Sequence, residues 1–131
     1  MKAIDTNILI RFLTGDDKIQ AKKVYLLFKT AESEKKEFFV PLLVMLEMIW
    51  VLESVYEISR HDILESIKDL LLMPILKFEH QPVLQQLVSS GQGNKYDLSD
   101  LLIAHSASVS GCESVLTFDR KASKYKLFEP M

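Results

Sequence analysis

The chain has one cysteine, Cys112, so no disulfide can form within it, and its composition fits a reducing cytoplasm. It has no apolar run long enough for a membrane. The longest, residues 40–52, is shorter than the ~20 residues a spanning helix needs and includes Glu47. No separate charged and apolar leader precedes the first candidate strand, which begins at Met1, so a signal peptide is not expected. There is little excess charge of either sign. The formal net charge of −2 gives no global basic field of the kind that advertises a nucleic-acid partner. That counts only modestly against such a partner, because acids gathered in one metal site lower the net charge while the rim stays basic. Internal repeats, low-complexity segments and linkers are absent. The glycines of Ser89-Ser90-Gly91-Gln92-Gly93-Asn94 do not make a phosphate-binding loop, since the segment lacks a Lys-Ser/Thr pair and does not follow a strand.

What is present suits a single domain over residues 1–131 with its own core: 48% hydrophobic and 26% charged residues are ordinary for a globular protein. Residues 1–4 make a short apolar strand. Asp5-Thr6-Asn7 breaks it with side chains that bond their own backbone and favour helix starts. Ile8, Leu9, Phe12 and Leu13 then recur at helical spacing. Thr14-Gly15-Asp16-Asp17 reads as a turn that caps a second helix, residues 18–29, with Ala21, Val24, Leu27 and Phe28 on one face and a charged loop after it. Residues 38–40 form a strand ended by Pro41. Residues 42–56 are helical in length but apolar nearly all round, which predicts burial on most sides. Ser59 and Asp62 open a helix to residue 73 with Ile63, Ile67, Leu70 and Leu71 inward. A strand at 75–79 and a helix carrying Val83, Leu84, Leu87 and Val88 inward come next. Asp97-Leu98-Ser99-Asp100 opens a further helix, residues 101–110, stopped by Gly111. A strand at 114–118, a short turn or helix, and a candidate edge strand at Leu127-Phe128 complete the order. This alternation predicts an α/β fold with a parallel sheet covered on both faces.

Two of the strands end on an acid, Asp5 and Asp119. In one parallel sheet such ends share an edge, and ligands of open α/β sheets bind there. Glu47 sits in an apolar helix with no basic residue within a turn, which makes a structural ion pair the poorer account of it. Asp100 begins another apolar helix. Each acid also has a plainer reading. Asp5, taken with the first ten residues alone, reads best as a helix cap. Asp97 reads as a cap, Asp119 as a turn residue, and Asp100 as a first-turn acid worth about 0.3–1 kcal/mol against the helix dipole. Four carboxylates within ~4 Å would repel by about 4 kcal/mol per pair at an effective dielectric near 20, so protons or a divalent cation must compensate. Oxygen donors suit Mg²⁺ or Mn²⁺, ions that activate water in phosphodiester cleavage. His61, His80 and His105 lack ligand spacing. Trp50, Met45 and Met48 fit a core or a dimer contact better than an RNA stacking platform. Arg11, Lys95, Arg120 and Lys121 adjoin the acidic motifs and are candidate phosphate contacts; charges kept for solubility account for them equally well.

Asp5-Thr6-Asn7 after a starting strand, Glu47 in an apolar helix, Asp97-x-x-Asp100-Leu101-Leu102-Ile103-Ala104 and Thr117-Phe118-Asp119 together resemble a PIN domain. Within that superfamily the chain is similar to the small single-domain toxins of VapC type from bacterial and archaeal toxin–antitoxin pairs. The resemblance covers nearly the whole chain. It implies a three-layer α/β/α sandwich with a central parallel sheet of four or five strands. It also implies a metal-dependent endoribonuclease acting on RNA, a homodimer, and a cognate antitoxin that holds it inactive. Carried over by position, Asp5, Glu47, Asp100 and Asp119 match the family's acidic residues, for metal binding and catalysis. Thr6 and Asn7 match the polar pair beside the first acid, Thr117 the hydroxyl residue before the last, and Asp97 a less regular acidic position.

The resulting expectation is a Mg²⁺- or Mn²⁺-dependent ribonuclease, a cytoplasmic toxin, with Glu47 or Asp119 accepting a proton from the attacking water. Two other classes compete with it. A phosphatase using Asp5 as nucleophile would want a second Asp shortly after it, where Asn7 stands. A non-catalytic RNA-binding or partner-binding module would not need an intact acidic set.

Overall fold

Asp5 and Gly15 set the limits of the first helix, and the rest of the N-terminal half is laid out from there. The computed structural model describes residues 1–131, which fall into two compact units, Met1–Glu79 and His80–Met131. In the first unit β1 (Lys2–Ala3), β2 (Phe38–Val40) and β3 (Leu76–Phe78) form a parallel sheet in that order, with Lys2 opposite Phe38 and Phe38 opposite Leu76. Parallel neighbours need crossovers. Helices α1 (Thr6–Thr14) and α2 (Lys18–Glu34) supply the first; α3 (Leu42–Ser54) and α4 (Arg60–Leu71) supply the second.

α1 starts where the extended Asp5 turns its carboxylate onto the Thr6 N–H. It stops at Gly15, whose left-handed φ of 64° brings its N–H to the Arg11 carbonyl at 3.0 Å. Between them Thr6, Leu9 and Ile10 are buried at helical spacing. Asp17 caps α2 by accepting the Gln20 N–H at 3.0 Å. α2 runs beyond the expected stop near residue 29, and the segment expected to be a charged loop is largely helix. Ala31 is buried on the Val24 and Phe28 face, so the apolar stripe continues under a charged exterior, while Leu27 faces solvent. Phe28 also meets the rings of Phe12 and Phe38, with centroids 5.0 and 6.1 Å away.

α3 buries Met45, Met48, Ile49 and Leu52. Most of its residues are buried or half-buried, as its composition predicts, but one stripe is open. Leu43, Glu47 and Trp50, spaced i, i+4, i+7, form an open face with Leu43 75% and Trp50 59% exposed. Ser59 caps α4, accepting the Asp62 N–H at 3.2 Å, and Ile63, Leu64, Ile67 and Leu70 point inward; Leu71 is only half-buried.

In the second unit α5 (Gln81–Gly91) packs on α6 (Leu98–Val109), joining Val83, Leu84 and Leu87 to a core with Leu98, Leu101, Leu102 and Ala104. β4 (Val115–Thr117) pairs in parallel with β5 (Phe128–Pro130) around a short 3-10 turn, Ala122–Lys124. The five strands are thus all parallel to their partners, three in one ladder and two in another. Strands of two or three residues carry few ladder bonds each, so helix packing supplies most of the buried surface. No helix is long and apolar enough to cross a membrane.

Candidate functional site

The acids singled out by the sequence fall into two sets, one in each unit. In the first, Ile4 extends the β1 ladder through its N–H to the Phe39 carbonyl at 3.0 Å, which delivers Asp5 to the end of the strand. Asp5 Oδ1 accepts the Thr6 N–H at 2.6 Å, and the Thr6 hydroxyl donates to Glu47 Oε1. Thr6 therefore joins the two carboxylates, which α1 and α3 bring together by packing on one another. Glu47 is exposed, contrary to the expectation that its apolar helix would shut it from solvent. Asn7 is exposed too.

Arg11 lies one turn further along α1, and its guanidinium is already engaged. It donates to Gln20 Oε1 at 2.7 Å, to Asp16 Oδ1 at 3.2 Å and to the Tyr56 hydroxyl at 3.2 Å. Tyr56 in turn donates to Asp16 Oδ2 at 2.6 Å. That hydroxyl, with Thr14 and Arg11 after it, holds the Asp16 carboxyl below its usual range. This network ties the α1–α2 turn to the end of α3, so Arg11 has a structural task before any phosphate arrives.

In the second unit, Asp97 caps α6, its Oδ1 accepting the Asp100 N–H at 3.1 Å, as its spacing predicts. Asp100 itself is half-buried. Burial first, then the negative charges of Asp97 and Asp119, hold its carboxyl above the usual range, and Lys121 works the other way. Asp119 follows β4; its N–H donates to Thr117 Oγ1 at 3.0 Å and its Oδ1 accepts the Ala122 N–H at 2.9 Å. Thr117 thus serves the turn that aims Asp119, and Asp119 doubles as the cap of the 3-10 turn. Lys95, Arg120 and Lys121 are exposed.

The sequence places Asp5 and Asp119 on one sheet edge; the ladders instead pair β1 with β2 and β4 with β5. Neither unit alone gathers three or more carboxylate, histidine or cysteine side chains into a group able to hold a metal ion. The donor chemistry still fits a hard divalent cation. All donors are oxygens, none of Asp5, Glu47, Asp100 or Asp119 is in an ion pair, and Asp100 is crowded by like charge that a cation would relieve. The role of Thr6 as a bridge between acids has no signal in the sequence beyond its place after Asp5, because its partner is 41 residues away. His105, with no ligand spacing, is buried and bonded to Ser90 across 2.7 Å, a core histidine.

A "VapC ribonuclease" of Aquifex aeolicus (strain VF5) is 26% identical over 124 residues, which is 95% of this chain and 91% of its own. The PIN domain family matches residues 2–127, a span that takes in Asp5, Glu47, Asp100 and Asp119 alike, and the chain belongs to that family.

Proposed function

We propose that the chain is a Mg²⁺- or Mn²⁺-dependent endoribonuclease, the toxin of a toxin–antitoxin pair, in which residues 1–131 work as one PIN domain. The observation that carries this reading is the half-buried Asp100, crowded by Asp97 and Asp119 and with no ion-pair partner. Crowding of this kind, which the charge of Lys121 offsets only in part, suits a cation site better than a structural one. Similarity to a protein named as a ribonuclease over nearly the full length of both chains supports the same conclusion.

In this reading Asp5, Glu47, Asp100 and Asp119 hold the metal, which when bound lowers the pKa of a water and neutralises charge on the phosphodiester. Thr6 and Thr117 orient acids through the hydrogen bonds described above. Asp97 fixes the start of α6 so that Asp100 sits in its first turn. Glu47 or Asp119 accepts a proton from the attacking water; of the Asp119 carboxylate only Oδ1 is used, by the Ala122 N–H. Arg120, Lys121 and Lys95, exposed near the acids in sequence, meet RNA phosphates. The toxin works in the cytoplasm as a homodimer, and a cognate antitoxin restrains it.

The test is cleavage of single-stranded RNA by chelator-treated protein. Activity should return with Mg²⁺ or Mn²⁺. Equal cleavage in excess chelator excludes the mechanism, and metal binding with no cleavage of any RNA would leave a binding module in its place.

A further inference from the structure

Thr6 holds two carboxylates with two different donors. Its backbone N–H binds Asp5 Oδ1 at 2.6 Å, and its hydroxyl binds Glu47 Oε1 from a side chain only 4% exposed. Asp5 Oδ2 and Glu47 Oε2 accept nothing from the protein. An exposed glutamate on a helix ordinarily samples several rotamers, and ordering it costs entropy. Here a buried residue in the first turn of α1, its hydroxyl bonded to Glu47 Oε1, gives that carboxylate a fixed partner.

We propose that Thr6 is a positioning residue that presents Asp5 Oδ2 and Glu47 Oε2 as a fixed pair of hard oxygen donors for the divalent cation. The inference rests on the nuclease reading above and adds to it a specific task for the hydroxyl. Thr6 touches neither RNA nor metal; it acts through the two acids. Groups that orient ligands in this way are commonly worth about 10–100-fold in metal affinity or activity.

Two substitutions separate the hydroxyl from the packing. Thr6→Val keeps the shape and loses the donor, whereas Thr6→Ser keeps the donor and loses the methyl group. In the full-length protein, Mn²⁺ affinity is read by electron paramagnetic resonance and the Glu47 rotamer by NMR couplings in chelator. Thr6→Val should bind Mn²⁺ about 10–100-fold more weakly and average the Glu47 rotamers, while Thr6→Ser stays near wild type in both. Wild-type affinity and a single Glu47 rotamer in Thr6→Val overturn the inference and leave the nuclease reading intact. So does a Thr6→Ser protein that falls as far as Thr6→Val, because packing would then be the cause. A wild-type protein that binds no Mn²⁺ and cleaves no RNA overturns the nuclease reading, and the inference with it.

Discussion

Glu79 closes the first turn of α3: its Oε1 accepts the Leu42 N–H at 2.7 Å, across 37 residues of sequence. The residue in the cap position, Pro41, has no side chain able to do this. Glu79 is itself anchored, its N–H donating to the Val40 carbonyl at 2.9 Å. A carboxylate at a helix N-terminus satisfies an orphan donor and opposes the dipole. Glu79→Ala should therefore cost about 0.5–2 kcal/mol, as loss of a cap does, measured as a lower urea midpoint with unchanged slope. An unchanged midpoint would mean that water caps α3 equally well.

Two groups, His105 and Asp16, make the fold less stable as the pH falls. His105 is 6% exposed, with Ser90 Oγ 2.7 Å and the Tyr125 hydroxyl 3.5 Å from Nε2. Burial first, and then the charge of Lys126, lower its pKa from 6.5. The fold thus favours neutral imidazole and the unfolded chain takes up the proton first. Stability from this group is complete above pH 6.5 and is lost as pH falls from there toward the folded pKa. Asp16 acts lower on the scale: its depressed carboxyl stabilises the fold above 3.8, and that contribution disappears as pH falls through its folded pKa. Urea titrations should show two separate losses. His105→Gln should flatten the upper one and Tyr56→Phe, which removes the main donor to Asp16, the lower.

Local devices were legible in the sequence and distant ones were not. Asp17, Ser59 and Asp97 cap helices from within three residues of the N–H they accept, and Gly15 and Gly111 take the left-handed φ that their places after helices suggest. The length of α2 was harder, because Ala31, one small residue among charged ones, extends the Val24 and Phe28 stripe only weakly. α3 misled for a physical reason: apolar side chains do not say whether another part of the same chain covers them. Its face at Leu43 and Trp50 stays open, and Glu47 with it. Each acid of the candidate site was visible as a residue type in a setting. The hydroxyl that ties Glu47 to the Asp5 turn was not.

That open face bears on assembly. Trp50 and Val55 on and just beyond α3, and Leu72 at the end of α4, are exposed large apolar groups. We expect a symmetric homodimer that covers the Trp50–Val55 end and leaves Glu47 reachable. Light scattering at tens of micromolar should give twice the chain mass, and Trp50→Glu should shift it to the monomer. A wild-type monomer under those conditions would remove the prediction.

The sharpest prediction concerns Asp100, because its structural and functional readings differ in sign. Burial, Asp97 and Asp119 raise its carboxyl above the ordinary 3.8, against a smaller opposing effect of Lys121. The fold therefore prefers the protonated acid. As pH rises from 3.8 through the folded pKa, ionisation of Asp100 lowers the stability of the metal-free protein. At neutral pH, Asp100→Asn removes that charge while keeping a side chain that fits a first helical turn. In chelator the variant should melt no lower than wild type. With Mg²⁺ the wild type should gain melting temperature, since a ligand bound only by the native state stabilises it. The variant should gain less and lose RNA cleavage. Glu47→Gln should behave alike, because the amide oxygen can still accept from the Thr6 hydroxyl while the ligand charge is gone. If Asp100→Asn instead melts well below wild type in chelator and cleaves RNA as fast, Asp100 is a structural acid of α6 and not a metal ligand.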